Sequence, residues 1–365
     1  MTEFGIGTYM RNVVRTLARL DRESKYFLIG SLAKVAECGP LPPNFHAVAL
    51  EGRDNTVKGN LDFRAIVRRL HCDVVHIPHL FWIPRGLPCP YVLTVHDLLE
   101  HMYASRDASS LRRSLHFHLT RRALSHAARV LAVSHFTKSE IERIFGIPDE
   151  RIEVVYNAID ERFLRGHATQ ADRDLIAQRY LVNYPFILYA GAIRPHKNVV
   201  RIIEAFSALK TELEKEGQFP DLKLIVIGDD LSSHPRLRRT VVRSGVQNDV
   251  RFLGFVPIEV LRIFYEGFGL PPLEAMAHGT PVVASNNSSL PEVTGNAALL
   301  VNPENVFEIQ RALQRALLDP ALRTRMKQRG YEQAQRFSWT SSVGRILEIY
   351  REVAGNDVSR GVAAD

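Results

Sequence analysis

Two glutamates, Glu266 and Glu274, flank seven residues in the stretch Glu266-Gly267-Phe268-Gly269-Leu270-Pro271-Pro272-Leu273-Glu274. Gly267 and Gly269 carry no Cβ, so the backbone there can approach a ligand closely. Pro271 and Pro272 then open a helix, where proline is tolerated and the first N–H groups lack an intrahelical partner. A glycine bend that runs into a helix N-terminus is suited to an anion, above all a phosphate group. Glu274 falls in the first helical turn or so, where its carboxylate can accept bonds from sugar or ribose hydroxyls. The plain structural alternative is a helix start with capping glutamates.

A second cluster of candidates lies in the loop Gly191-Ala192-Ile193-Arg194-Pro195-His196-Lys197-Asn198, directly after an apolar strand pattern at residues 185–190. Arg194 and Lys197 are two cations at a strand's carboxyl end, a combination that neutralises a diphosphate. A solvated loop charge pair is the alternative. His96 and Asp97 end another strand pattern, at residues 91–96. A histidine at such an edge can bond a sugar or handle an acceptor's proton, although on its own a satisfied structural histidine is the better reading. His76 and His79 flank Pro78 without a carboxylate at metal spacing and read as loop residues, and Asn157 reads as a turn residue.

The elements that must carry these groups alternate between short apolar runs and amphipathic stretches, the pattern of parallel α/β domains. In the first half, helices are expected at residues 8–20, 110–127 and 135–145, and strands at 26–30, 73–77, 91–96, 129–133 and 152–156. Residues 157 to about 173 are polar and lose the periodicity, which places a domain boundary there. In the second half, strands are expected at 185–190, 222–227, 250–252, 281–284 and 297–301. Helices are expected from about 199 and at 234–244, 258–265 and 271–278. The tail from 304 to 353 is almost wholly helical, with breaks near Pro320 and Ser338. The loops named above then sit at strand carboxyl ends, where open α/β sheets bind ligands.

A length of 365 residues suits two domains. Cys38, Cys72 and Cys89 are scattered and odd in number, which argues for a reducing cytoplasm and against a disulfide framework or zinc site. The start MTEFGIGTYM lacks the features of a signal peptide, and no apolar run approaches membrane-spanning length. The net charge of +7 suits a polyanionic partner. Arg112, Arg113, Arg121, Arg122 and Arg129 concentrate on and just beyond one expected helix, as a solvated face or, on the sharper reading, a dock for anionic lipid headgroups. Nucleic acid is not an expected partner, because no zinc finger, RNP motif or basic-aromatic repeat is present.

The stretch EGFGLPPLEAMAHGTPVVAS resembles the signature of the family-4 retaining glycosyltransferases of the GT-B fold. GIGTYMRNV, TVHDL at 94–98, AVSHFTKSEI at 132–141, VVYNAID at 154–160, LYAGAIRPHKNV at 188–199 and SLPEVTGNAALLVNP at 289–303 extend the likeness over most of the chain. The resemblance implies an α/β fold of two Rossmann-like domains with a cleft between them. Residues 1–160 would form the acceptor side, 161–337 the nucleotide-sugar domain, and 338–365 a helix and tail packing back toward the first domain. It implies a hexose, mannose among the candidates, moved from a GDP- or UDP-sugar to a hydroxyl of a glycan or lipid-linked acceptor. The setting would be polysaccharide, lipopolysaccharide or glycolipid synthesis, in the cytoplasm or at the inner membrane face. Arg194 and Lys197 would hold the leaving diphosphate, with Gly267, Phe268, Gly269 and Leu270 beside them. Glu266 would contact the sugar and Glu274 the ribose. His96 becomes a site residue on this pattern, and Gly7 part of the first domain's glycine loop. No metal or other cofactor is implied.

Two departures from the family pattern stand out. Only Met1 to Phe4 precede Gly5, too few for the family's first strand, and the expected helix 258–265 runs straight into Glu266 with no strand before it. These gaps keep open the alternative of a truncated, non-catalytic nucleotide-sugar-binding remnant. A dinucleotide-dependent oxidoreductase is disfavoured, because Met10 stands where its fingerprint needs glycine.

Overall fold

The computed structural model describes residues 6–50, 56–80, 86–98, 110–160, 163, 169–265 and 272–361. The chain divides into two compact units, one of Met1–Ala158 with Phe337–Asp365 and one of Ile159–Arg336. Both are α/β units built on parallel strands.

In the first unit, α1 (Ile6–Leu20) is followed by β1 (Tyr26–Gly30), α2 (Leu32–Ala36), β2 (Phe45–Ala49) and α3 (Val57–Leu70). Then come β3 (Val75–Ile77), β4 (Tyr91–Val95), α4 (Ser110–His126), β5 (Arg129–Ala132), α5 (His135–Phe145) and β6 (Ile152–Val154). β3 to β6 form one parallel sheet in that order, and β1 and β2 form a separate parallel pair. Every residue of β4 is buried, as a central strand covered on both faces requires. Side-chain alternation assigns those faces. Leu93, Val95, Val130 and Ala132 enter one core cluster, while Val92 and Leu131 enter another with Val13, Val14 and Leu17 of α1. The second cluster is completed by Trp339, Val343, Ile346 and Ile349 of α14 (Trp339–Gly361), the last helix of the chain.

The local stops and starts follow from chemistry. Ser134 caps α5 by accepting from the Thr137 amide at 3.0 Å, and Gly146 ends it at φ 64°. Thr56 caps α3 through the Gly59 amide at 3.0 Å. β2 and the helices α2 and α3 lie in a stretch where no element is expected from the sequence. β2 exposes His46, Ala47 and Ala49, so it lacks the continuous apolar signal of a buried strand. His76 lies in β3 and is not the loop residue its proline neighbour suggests.

The second unit holds α6 (Gln170–Arg179), β7 (Phe186–Ala190), α7 (Val199–Lys215), β8 (Lys223–Ile227), α8 (Pro235–Arg243), β9 (Val250–Gly254) and α9 (Ile258–Tyr265). It continues with α10 (Pro272–Ala277), β10 (Val282–Ser285), α11 (Leu290–Thr294), β11 (Ala298–Val301), α12 (Val306–Leu318) and α13 (Pro320–Gln335). α6 begins inside the stretch expected to be irregular, set off by a capping box between Thr169 and Asp172. β7, β8 and β9 form one parallel sheet, and β10 pairs with β11 in another. Ile187, Tyr189, Leu224 and Val226 face the cluster built on Phe206, Leu209 and Leu213 of α7. Leu188, Ala190, Ile225 and Ile227 face the opposite one, with Phe264 of α9 and Met276 of α10. Each large apolar side chain so enclosed is worth about 2 kcal/mol relative to exposure.

Among the described strands β7 is an edge of its sheet and β10 pairs with β11 alone, and the residues between α9 and α10 lie outside the described set. The core nonetheless runs across the break, since Val282 and Ala284 of β10 share the cluster of Leu188 and Ala190. No helix of the described residues is long and apolar enough to cross a membrane.

One close backbone approach fixes the carboxyl ends of β7 and β8. Gly191 has φ 148° and Gly228 φ 144°, and a Cβ on Gly228 would lie 2.2 Å from the Gly191 carbonyl oxygen. Both the dihedral and the space require glycine. Gly228→Ala should therefore cost about 2 kcal/mol or more of unfolding free energy in urea titration. A loss below about 0.5 kcal/mol would contradict this reading of the crossing.

Candidate functional site

The loop after β7 is held at both ends. The Gly191 amide donates to the Ile227 carbonyl at 2.9 Å, continuing the β7–β8 ladder past the strand end. The Ile193 amide donates to the Asp229 carboxylate at 2.8 Å, and His234 approaches the same carboxylate at 3.4 Å. At the far end Asn198 takes φ 50°, and its side-chain Nδ2 donates to the Pro303 carbonyl at 2.8 Å and to the Glu304 carboxylate at 3.0 Å. Between these anchors Ile193 is buried while Arg194 and Lys197 are exposed, Lys197 on a short 3₁₀ turn Pro195–Lys197. A backbone tied down at both ends with its two cations in solvent is what diphosphate binding asks for. Asp229 is the participant that sequence reading missed. Its signal was the Gly228-Asp229 pair closing an apolar strand, one loop away from the cations.

Glu274 lies in α10 and is turned inward. The Tyr265 phenol donates a hydrogen bond to its carboxylate, and burial followed by the nearby negative charge of Asp160 leaves its pKa at about 7. Tyr265 is itself fully enclosed, stacked near His278, and its carbonyl accepts from the Thr280 hydroxyl. Glu266, Gly267, Phe268, Gly269 and Leu270 lie outside the described residues, and the described part of the following helix starts at Pro272.

The remaining candidates belong to the first unit. Gly7 is the second residue of α1, and a Cβ there would meet nothing within 4 Å. Close approach to protein therefore does not demand glycine at that position. His96 follows β4 and is half-buried, next to the exposed Asp97. Its Nε2 lies 3.0 Å from the Pro78 carbonyl oxygen. A carbonyl cannot donate, so Nε2 carries the hydrogen and a neutral ring keeps Nδ1 as an acceptor for a hydroxyl. Burial holds the His96 pKa below the ordinary value, which favours that neutral form. On α4, Arg121 donates to the Phe145 carbonyl at 3.1 Å, so its guanidinium has a partner within the fold.

Against this geometry, residues 172–333 match the family described as glycosyl transferases group 1, and residues 5–163 match glycosyltransferase family 4. The chain is 32% identical over 295 residues to O-antigen chain mannosyltransferase B of Escherichia coli, covering 76% of this chain and 74% of that protein. It is 27% identical over 275 residues to the serotype-specific mannosyltransferase WbdA of the same species, where it spans 33% of the relative's length. The crystal structure of Anabaena HepE in complex with UDP and glucose superposes with a TM-score of 0.75 at 18% identity, covering 96% of this chain and 97% of that one.

Two predictions follow from the second unit. Asp229→Ala removes the acceptor of the Ile193 amide and should weaken nucleoside diphosphate binding about tenfold in calorimetric titration, the scale of one charge-assisted bond. Unchanged affinity would show that the loop needs no such anchor. Glu274 has a folded-state pKa of about 7, above the ordinary 4.5 of a glutamate, so the folded chain holds a proton that the unfolded chain releases between those values. Its favourable contribution is complete below pH 4.5 and lost as pH rises through 7. Urea titrations of Glu274→Gln should lack this decline, which amounts to up to about 3 kcal/mol. Parallel profiles for the two proteins would refute the assignment.

Proposed function

The chain belongs to the group 1 glycosyltransferases, and on that premise we propose that it moves mannose from GDP-mannose to a hydroxyl of a growing polysaccharide, lipopolysaccharide or glycolipid. The observation that carries the reading is the doubly anchored loop presenting Arg194 and Lys197 at the carboxyl end of β7. The likeness to O-antigen mannosyltransferases supports the choice of sugar and of acceptor class. For a lipid-linked acceptor, the basic helix with Arg112, Arg113 and Arg122 supplies charge for anionic headgroups.

In the proposed reaction the bond from the sugar's anomeric carbon to the diphosphate oxygen breaks. A bond to the acceptor oxygen forms on the same face, with retention of configuration. The acceptor's proton passes to a departing phosphate oxygen, and the nucleoside diphosphate leaves. Negative charge builds on that oxygen in the transition state, and fixed cations there lower the barrier most. Arg194 and Lys197 take this role, and Glu266 contacts the transferred sugar. His96 receives a sugar hydroxyl's hydrogen bond at Nδ1. Because the cations carry the charge, transfer proceeds without a divalent metal.

A second reading has one specific observation behind it, that no strand among the described residues joins β7 to β10. Misplacing a reacting group by about 1 Å can cost about a hundredfold in rate. A chain with a displaced Glu266 segment would bind donor without turning it over.

Turnover separates the two. The purified chain with GDP-mannose and an oligosaccharide acceptor should give an α-linked product by NMR, at a rate indifferent to EDTA. Lys197→Ala should lower kcat/KM by about a hundredfold or more. Binding of donor with no transfer to any mannose-terminated acceptor would establish the second reading instead.

A further inference from the structure

A chain of buried polar groups in the first unit ends on His96 and starts on the last helix. The Tyr350 hydroxyl of α14 lies 2.5 Å from His76 Nδ1 on β3. His76 Nε2 lies 2.7 Å from the Thr94 hydroxyl on β4, and that hydroxyl lies 3.1 Å from the Tyr9 hydroxyl on α1. The Tyr9 ring then meets the His96 ring edge to face, with centroids 4.7 Å apart and planes at 82°. Trp339 of α14 also packs on Tyr9, at 5.9 Å between centroids.

Every member of the arrangement has a hydrogen-bond partner within it. Burial pushes His76 down to about 3, so it is neutral with one N–H and one lone pair. In one tautomer Nδ1–H donates to Tyr350, Thr94 donates to Nε2, and Tyr9 donates to Thr94. In the other Tyr350 donates to Nδ1, Nε2–H donates to Thr94, and Thr94 and Tyr9 share the remaining hydrogen bond. Either way each of the four groups makes at least one hydrogen bond, and Tyr9 and Thr94 are only 4% and 1% exposed. Such a network costs too much to break for its members to swing freely.

We propose that Tyr9 is a positioning residue for His96, and that Tyr350 holds Tyr9 in register through His76 and Thr94. The Pro78 carbonyl fixes one edge of the His96 ring and the Tyr9 ring fixes a second direction. Together they set both the tautomer and the angle at which Nδ1 is offered to a hydroxyl. The last helix thereby becomes part of the apparatus that aims His96, acting through β3, β4 and α1. This inference rests on His96 serving the transferred sugar, but its geometric half can be tested apart from that role.

The test uses the full chain in three variants, Tyr9→Phe, Tyr9→Leu and Tyr350→Phe, with His96→Gln to identify the His96 signals. Long-range proton–nitrogen spectra of the imidazoles report the tautomer directly. The unsubstituted chain should show His96 protonated at Nε2. Tyr9→Leu should mix the tautomers and lower kcat about tenfold or more with donor KM within about twofold, the cost of a misaimed group. Tyr9→Phe keeps the ring and should lose less than Tyr9→Leu. Tyr350→Phe should shift the His76 and His96 signals together. An unaltered His96 spectrum in both Tyr9→Leu and Tyr350→Phe overturns the proposal, whatever happens to stability or rate. If Tyr9→Leu fails to fold, the Tyr350→Phe spectrum alone decides. If His96→Gln keeps full activity, the role of His96 in transfer falls, while the spectra still decide whether Tyr9 and Tyr350 position it.

Discussion

The second unit depends on how β7 and β8 end. Two extended strands paired in parallel would ordinarily send their following loops apart. Here Gly191 and Gly228, both at positive φ, bring the two backbones within a distance that a single Cβ would fill. Once the strand ends cross so closely, Asp229 can reach the Ile193 amide from the neighbouring loop. That bond, with Asn198 at the other end, turns eight residues after β7 into a rigid presentation of Arg194 and Lys197. The apolar clusters on both sheet faces supply the stability that lets two glycines and a partly exposed carboxylate bond be kept at this point. Charge placed this way needs little reorganisation when an anion arrives, which is where electrostatic catalysis gains over water.

Much of this was legible in the residues. The short continuous apolar runs of β7 and β8, each bounded by polar or glycine residues, and the helical face of α7 could be read from the residues. α5 is bounded by Ser134 and Gly146, both of which announce themselves in sequence. What escaped was made by tertiary packing. β2 is an exposed edge and α6 a polar helix, so neither has a strong apolar period. His76 and Tyr350 are 274 residues apart, and no local pattern announces that they meet. The inward turn of Glu274 toward Tyr265 is of the same kind. A carboxylate seven residues past a glycine bend reads as a ligand group, and only packing reveals its phenol partner.

The parallel sheets are interrupted in both units at corresponding points. β1–β2 stands apart from β3–β6, and β10–β11 from β7–β9, while the apolar clusters continue on either side of each break. Residues 1–5 and 266–271, next to these breaks in sequence, lie outside the described set. Backbone pairing and side-chain burial are thus separable here. Among the described residues the hydrophobic layers span pieces of each unit that no described ladder joins, since burial is proportional to area and indifferent to register. The anchored cation loop belongs to the paired strands β7 and β8, so its geometry rests on described pairing.

The central proposal is that the anchored loop presents Arg194 and Lys197 to a diphosphate. Its most direct measurement compares calorimetric binding of GDP, GMP and mannose to the full chain and to the Arg194→Ala/Lys197→Ala double variant. The account predicts that GDP binds at least about tenfold more tightly than GMP, with mannose weaker still, and that the double variant loses the preference for the second phosphate. Equal affinity for GDP and GMP in the unsubstituted chain, or a preference that survives loss of both cations, would contradict it.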